Sequence, residues 1–448
     1  MKKTFLTSVF MAVIVAACTE GIDAPVRTRE IKVSVTGNLA DVSGFIAEGN
    51  GSAQSPASKA VFSDGEGMSW ENTDAEKLGI IAGTGDTWTS VHSTDISIAA
   101  DKGATFTASV PENATRAYFV YPYSAGSDKG TVHRFSFPAE LTQARAGSSE
   151  NFRFTSAEST DISVGATSIE PTLKMAGAVV RTVIYSASGK RAAESVTAVK
   201  LETKSSGANI SATEYDYDLA GGAATVGGTC GPSVRVALSE AWPLEGRTGK
   251  ENAAAVYLPI IPATTEGFVI TVYTNAGAAY VFDSSAAKTW KDGQLYTFYL
   301  NLDKAVRETR KIVFHFEGAA GSDVYNGGNP VSIAVTGGSF DQWCSLYHSI
   351  NGNISDSENR FKDDSEAYSC LVGYTDDGLN WIGPNGFGNY VFGNHIQSTI
   401  SANETGNERT GTLKCRLNRE RFDALFPEYK DYISDDPIFT ITFTQAAE

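Results

Sequence analysis

Five histidines (His92, His133, His315, His348 and His395) and three adjacent carboxylate pairs (Asp363 with Asp364, Asp376 with Asp377, Asp435 with Asp436) are the groups from which a catalytic or metal centre would have to be built. The histidines lie far apart with no acid beside them in a motif, so each reads as a surface or core residue and not as a ligand. Glycoside hydrolysis needs two carboxylates held across a cleft, which neighbours on one loop do not supply. Calcium accepts several loop oxygens in a flexible cage, but the sequence holds no D-x-D-x-D-G loop. It also holds no G-x-S-x-G elbow, no H-E-x-x-H pair and no P-loop. The expectation is a chain that is not an enzyme, with no metal and no cofactor.

A different chemistry is available in LNWIGPNGFGNYVFGNH, residues 379 to 395, where Trp381, Phe387, Tyr390 and Phe392 stand among glycines and asparagines. Aromatic faces stack on sugar rings while amides bond their hydroxyls, so these four residues form a candidate contact for a glycan or a protein. The competing reading is that the rings pack beneath the loop.

The cysteines divide into two kinds. Lys2 and Lys3 precede an apolar stretch that stops at Ala16 and Ala17, just before Cys18. That stretch is too short for a stable membrane span, and V-A-A-C resembles a bacterial lipobox, in which Cys18 becomes the first mature residue and carries lipid. Residues 1–17 are then a signal peptide. Cys230, Cys344, Cys370 and Cys415 are scattered, with no C-x-x-C, and read as small buried hydrophobes. Export would permit a bridge among Cys344, Cys370 and Cys415, which share one region, but connectivity is not readable from spacing. Without Lys2 and Lys3, 34 basic residues face 52 acidic ones, a formal charge of −18 that argues against nucleic acid as a partner.

The elements that must position these groups are β-strands. At 448 residues the chain suggests about three domains of roughly 150 residues. After a tether at 18–28, which contains Arg27 and ends just before Arg29, short alternating runs such as REIKVSV, ATFTASVP and RAYFVYPY are separated by Gly, Asn, Asp and Ser, as in a β-sandwich. A second set follows from KMAGAVVRTVI to QLYTFYLNL, with hairpin-like breaks at NAG and KDG. DKAVRETRK, residues 303–311, reads as a solvated linker. Beyond it, ANETGNERTG reads as the turn of a hairpin, and RERFDALFPEYKDYI, residues 419–433, as a helix with Phe422, Leu425, Phe426 and Tyr429 on one side and Pro427 interrupting it. The closing PIFTITFTQ alternates as a half-buried strand, which can close its own domain or be lent to another molecule.

Several of these fragments, taken together over roughly residues 30 to 303, resemble the fimbrillin family of Bacteroidetes, lipoprotein subunits of type V pili and their surface relatives. They are MSWENTDAEKLGII with Trp70, Asp74, Leu78 and Gly79; ATFTASVPENATRAYFVYPYSA with Phe106, Tyr118, Tyr121 and Pro122; PAELTQARAG; and KMAGAVVRTVI, VYLPIIPA and WKDGQLYTFYLNL. The end of the chain resembles the Bacteroidetes-associated carbohydrate-binding domain called BACON, through Ile400 to Asn403, then Arg409, Thr410 and Gly411, then Leu413, and Phe439 to Gln445, with Trp343 in the place of that family's mid-domain tryptophan. The block is longer than the usual module.

The resemblances imply an all-β chain of tandem Greek-key, transthyretin-like sandwiches followed by an immunoglobulin-like sandwich: a fimbrillin-like domain at 29–165, a second at 166–303, a linker at 304–311 and a BACON-like domain at 312–448. They imply a non-catalytic, surface-exposed outer-membrane lipoprotein acting in adhesion or as a fimbrial component, with other fimbrillin subunits or a host or dietary glycan or protein as partners. The alternative role is a glycan-binding accessory lipoprotein of a polysaccharide-uptake system. Arginine-directed cleavage in fimbrillins makes Arg27 or Arg29 the candidate processing site, although the first core strand follows at once. The BACON-like ending implies that the final strand stays within its own domain.

Overall fold

The computed structural model describes residues 27–35, 60–63, 67–70, 77–98, 103–124, 126, 128–316, 331–353, 360–361, 365–375, 381–382, 391–392, 395–434 and 439–448, and these are almost wholly β-strand and turn. No helix among the described residues is long and apolar enough to cross a membrane. Cys18, Phe387, Tyr390 and the three Asp pairs lie outside the described residues, as do the side chains of Phe392, Trp343 and Cys344.

The N-terminal sheet contains β1 (Thr28–Val35), β2 (Gly79–Thr84), β3 (Thr87–Ile98), β4 (Ala104–Pro111) and β5 (Arg116–Tyr121), in the spatial order β1-β4-β3-β2-β5. Alternation decides which residues go inside: Ile31, Val33 and Val35 of β1 are buried, with Ala108, Phe106 and Ala104 opposite on β4. Trp70 lies edge-on to Phe106 (5.1 Å) and Tyr121 (4.8 Å), so the fimbrillin-like aromatics are core. Gly79 is required here, because a Cβ would lie 2.6 Å from both the Val120 and Tyr123 side chains.

The chain then leaves this sheet and returns to it with the short strands Phe154–Ser156, Thr160–Asp161, Ser168–Ile169 and Leu173–Met175. Strands β6 (Val132–Phe137) and β7 (Glu140–Gln143) join sheets built by later residues. The middle block comprises β8 (Ala178–Tyr185), β9 (Ser195–Thr203), β10 (Ser211–Asp218), β11 (Ser233–Pro243), β12 (Ala255–Ile260), β13 (Phe268–Thr274), β14 (Ala278–Ser284) and β15 (Leu295–Asn301). One sheet runs β7-β11-β9-β13-β14 and another β12-β8-β15, with β8 and β15 parallel, while β6 pairs with β10.

Why β8 and β12 read as near-continuous apolar runs is now clear, since the sheet they belong to is buried on both faces. Val180, Ile184, Leu258 and Ile260 face the middle core with Val199, Val236 and Ile270. Val179, Val183, Ala255 and Tyr257 face the N-terminal core, where Tyr257 meets Phe152 at 5.6 Å. Gln143, fully buried, completes the open edge of β12: it accepts from Tyr257 N (3.0 Å) and donates to the carbonyls of Ala255 (3.1 Å) and Arg145 (2.7 Å). Of the two expected hairpin breaks, NAG joins the paired strands β13 and β14, with Gly277 at φ 65°. KDG instead joins strands of different sheets, and Asp292 is turned inward to accept Gly177 N at 2.7 Å.

Residues 304–311 are not a linker. A short 3-10 turn, Leu302–Lys304, leads into β16 (Val306–Phe316), one continuous strand whose first part pairs with β14 and whose second part pairs with β17 (Gly338–Ile350). The C-terminal core fills the space between this sheet and a second containing β18 (Leu371–Thr375), with β19 (His395–Ile400) paired to β17 and β20 (Arg409–Leu417) paired to β18. The segment ANETGNERTG is therefore a crossover between sheets and not the expected hairpin turn.

Helix α1 (Arg419–Leu425) is capped by Asn418, whose Oδ1 accepts Arg421 N at 3.1 Å, and gives way at Pro427 to a 3-10 turn. Phe422 is buried and Phe426 and Tyr429 pack against the core, but Leu425, expected on the same side, is 38% exposed. After β21 (Ile433–Ser434), the last strand β22 (Phe439–Gln445) lies between β20, antiparallel, and Val331–Ile333, parallel, with Ile441 and Phe443 buried. It stays home.

Cys370 and Cys415, two of the three cysteines that export would permit to pair, are not bridged to each other. The Cys370 thiol donates to the Glu366 carbonyl (3.3 Å), and Cys415 is a buried thiol whose ionisation burial pushes well up. Cys230 is exposed on the outer strand Ala224–Gly231.

Candidate functional site

The sequence points to two places: the arginines before β1 and the aromatic segment around Trp381. Arg27 is exposed and precedes β1; its carbonyl accepts from Glu112 N at 2.8 Å. Arg29 lies inside β1 opposite Val110, and its Nη2 donates to the Ala114 carbonyl at 3.2 Å. A backbone bond held in a sheet register is a poor protease substrate, and both candidates are restrained in this way, Arg29 inside the β1–β4 ladder and Arg27 at its end through Glu112 N.

Trp381 is in the core, 7% exposed, and not on the surface as a stacking platform. Its backbone is tied by Ser401 N donating to its carbonyl (3.0 Å), while Ile382 bridges to Ile400. The Arg409 guanidinium sits 4.4 Å from the ring centroid, covering one face with an internal cation. Arg409 is fixed in turn, with Nε donating to Gln445 Oε1 (2.9 Å) and Nη2 to the carbonyls of Ser401 (2.8 Å) and Ala402 (2.7 Å). Gln445 Nε2 donates to Ala334 (2.6 Å), Val335 (3.1 Å) and Ser401 (3.1 Å). Asn403, buried, donates to the carbonyls of Asn407 and Ala446, each at 2.8 Å.

This hub gives the residue types at the end of the chain a structural reason. Arg409 and Gln445 stitch the crossover to the last strand, satisfying carbonyls that would otherwise be orphaned at a sheet corner. Gly411 is small because a Cβ there would fall 2.1 Å from Ile382 and 2.7 Å from Trp381. The motif residues thus carry structure in this chain, and among the described residues they present no open sugar-stacking face.

Near α1, a cleft of about 310 Å³ is lined by Val372, Arg416, Leu417, Asn418 and Arg419. Arg419 is engaged internally, donating to Asp423 Oδ1 at 2.7 Å and to the Lys430 carbonyl at 3.2 Å. His348 is stacked on Tyr429 (4.6 Å) and edge-on to Phe361 (5.4 Å), and burial pushes its ionisation down. No group of three metal-ligating side chains is found among the described residues. Sequence reasoning missed the ties made by Gln143 and by Arg235, which reach partners more than a hundred residues away and leave no local signal.

No protein-family model matches the chain, and no curated protein matches it. Among solved structures it is similar to a candidate cell adhesion protein from Bacteroides uniformis ATCC 8492, at 15% identity and TM-score 0.36 over 62% of this chain and 95% of that one. A candidate cell adhesion protein from Bacteroides fragilis NCTC 9343 gives 9% identity and TM-score 0.35 over 62% and 95%. A fimbrial protein from Bacteroides vulgatus ATCC 8482 gives 10% identity and TM-score 0.26 over 51% and 90%. All three likenesses are loose.

Proposed function

We propose that this chain is a lipid-anchored cell-surface protein acting in adhesion or as a fimbrial component, without catalytic activity. The observation that carries the reading is serial construction: among the described residues the three largest hydrophobic clusters are centred in succession along the chain, joined by β-structure, behind a lipobox-like Cys18. The middle sheet β12-β8-β15 serves two cores at once, and β16 serves two sheets. Such joints suit a stalk that holds a distal surface away from a membrane. Lipid on Cys18 is the anchor in this reading, and cleavage after Arg27 would release the tether while leaving β1 paired to β4. Fimbrillin subunits are the expected partners. A glycan, if bound, would have to be met by residues other than Trp381.

Surface proteolysis and labelling of intact cells, with and without Cys18→Ala, tests the proposal. The wild-type protein should be cut and labelled from outside, and the variant should leave the membrane fraction. A protein inaccessible from outside would end the adhesion reading.

A further inference from the structure

The joint between the middle and C-terminal blocks is held by more than its shared strand. Arg235 on β11 grips Asp431, just after the 3-10 turn that follows α1, with both nitrogens of one guanidinium edge: Nε donates to Oδ2 at 2.8 Å and Nη2 to Oδ1. These side chains are only 12% and 11% exposed although 196 residues separate them. Glu140 on β7 accepts from Lys430 and lies 3.5 Å from Arg235 Nη1, so the pair belongs to a four-residue network drawn from three segments.

A second contact lies beside it. Arg310 on β16 has its guanidinium carbon 5.6 Å from the Tyr273 ring of the middle block and 5.8 Å from the Tyr432 ring of the C-terminal one. Its Nη1 donates to the Tyr273 hydroxyl at 3.3 Å, and Glu308 accepts from its Nη2 at 2.6 Å. Next to this, the β13–β14 turn presses on β21: a Cβ at Gly277 would lie 2.5 Å from the Ile433 side chain, and Ile433 is paired with Lys311 of β16.

A strand shared by two sheets leaves the blocks free to twist and bend about it. A bidentate pair placed off that strand removes those freedoms, because its planar geometry tolerates little rotation. We propose that Arg235–Asp431 is a latch that fixes the orientation of the C-terminal block on the middle one, so that whatever surface the last block presents is presented in a single direction.

Pulsed electron-spin distance measurement on the full chain tests this, with nitroxides attached through a ketone-bearing amino acid at exposed Glu245 and Glu404, which leaves native thiols alone. The wild-type chain should give one narrow distance distribution. Arg235→Ala or Asp431→Ala should broaden it at least twofold while near-ultraviolet circular dichroism stays native. The double variant should be no broader than the worse single, because one interaction is lost in each case. A broad wild-type distribution, single variants as narrow as wild type, or broadening in the double equal to the sum of the singles would each overturn the latch.

Discussion

Trp381 provides the sharpest test of the C-terminal block, because the residue types around it suggest a ligand contact while the fold places it inside. Trp381→Ala removes a ring that is 7% exposed, packed over Ile382 and Gly411 and covered by Arg409. Truncating a buried Trp to Ala costs about 3–5 kcal/mol, part of it for the cavity left behind. The lost cation–π contact adds about 0.5–2 kcal/mol, so the change should fall near the upper end of that range. For a cooperative unit of 150–250 residues, each kcal/mol moves Tm by about 2–4 °C, giving a drop of roughly 10 °C or more. The assay is a melt followed by near-ultraviolet circular dichroism and by proteolysis of the C-terminal block, with Trp381→Phe as a milder companion. A ligand-facing ring would behave differently, and a Trp381→Ala chain that melts with wild type would refute the core placement.

Three further outcomes follow from other parts of the structure. Ending the chain before Pro437 deletes β22, which has partners on both sides, so the C-terminal block should become protease-sensitive while the N-terminal sheet stays protected in hydrogen exchange. Gln143→Ala leaves Tyr257 N without its buried partner, while the Ala255 carbonyl keeps Gly147 N, and should cost about 1–3 kcal/mol in urea unfolding. His348 is held below its ordinary pKa by burial, so the unfolded chain takes up the proton first. The stability of the C-terminal block should therefore be full above about pH 6.5 and fall as pH drops toward the folded value, and His348→Phe should flatten that dependence.

Where one face of a strand is buried and the other wet, the sequence could be read directly. REIKVSV places Ile31 and Val33 inside as its alternation requires, and FTITFTQ does the same for Ile441 and Phe443. AVVRTVIY and VYLPI could be recognised as strands but not placed, since continuous apolarity reports two covered faces without naming the covers. VRETRK was opaque for the opposite reason. Its charges are spent on neighbours, Glu308 with Arg310 and Arg307 with the Tyr280 hydroxyl (3.4 Å), so a strand at a joint has the composition of a linker. The crossover at 401–408 is rich in turn residues whichever sheet receives the next strand, and Arg409 decides that by binding back to Ser401 and Ala402. A tryptophan in a glycine-rich loop likewise looks the same inside or out until the cation that covers it is known. The Arg235–Asp431 pair is beyond any local pattern at that separation.

The continuity of β16 also bears on how such a chain can be inherited. A module bounded by a flexible linker can be copied between genes as a unit, because a cut in the linker leaves both neighbours whole. Here a recombination point anywhere from Val306 to Phe316 divides one strand, handing each product an incomplete sheet edge. The middle and C-terminal blocks are therefore expected to travel through evolution together, and a C-terminal block found alone elsewhere should begin with a replacement for the first half of that strand.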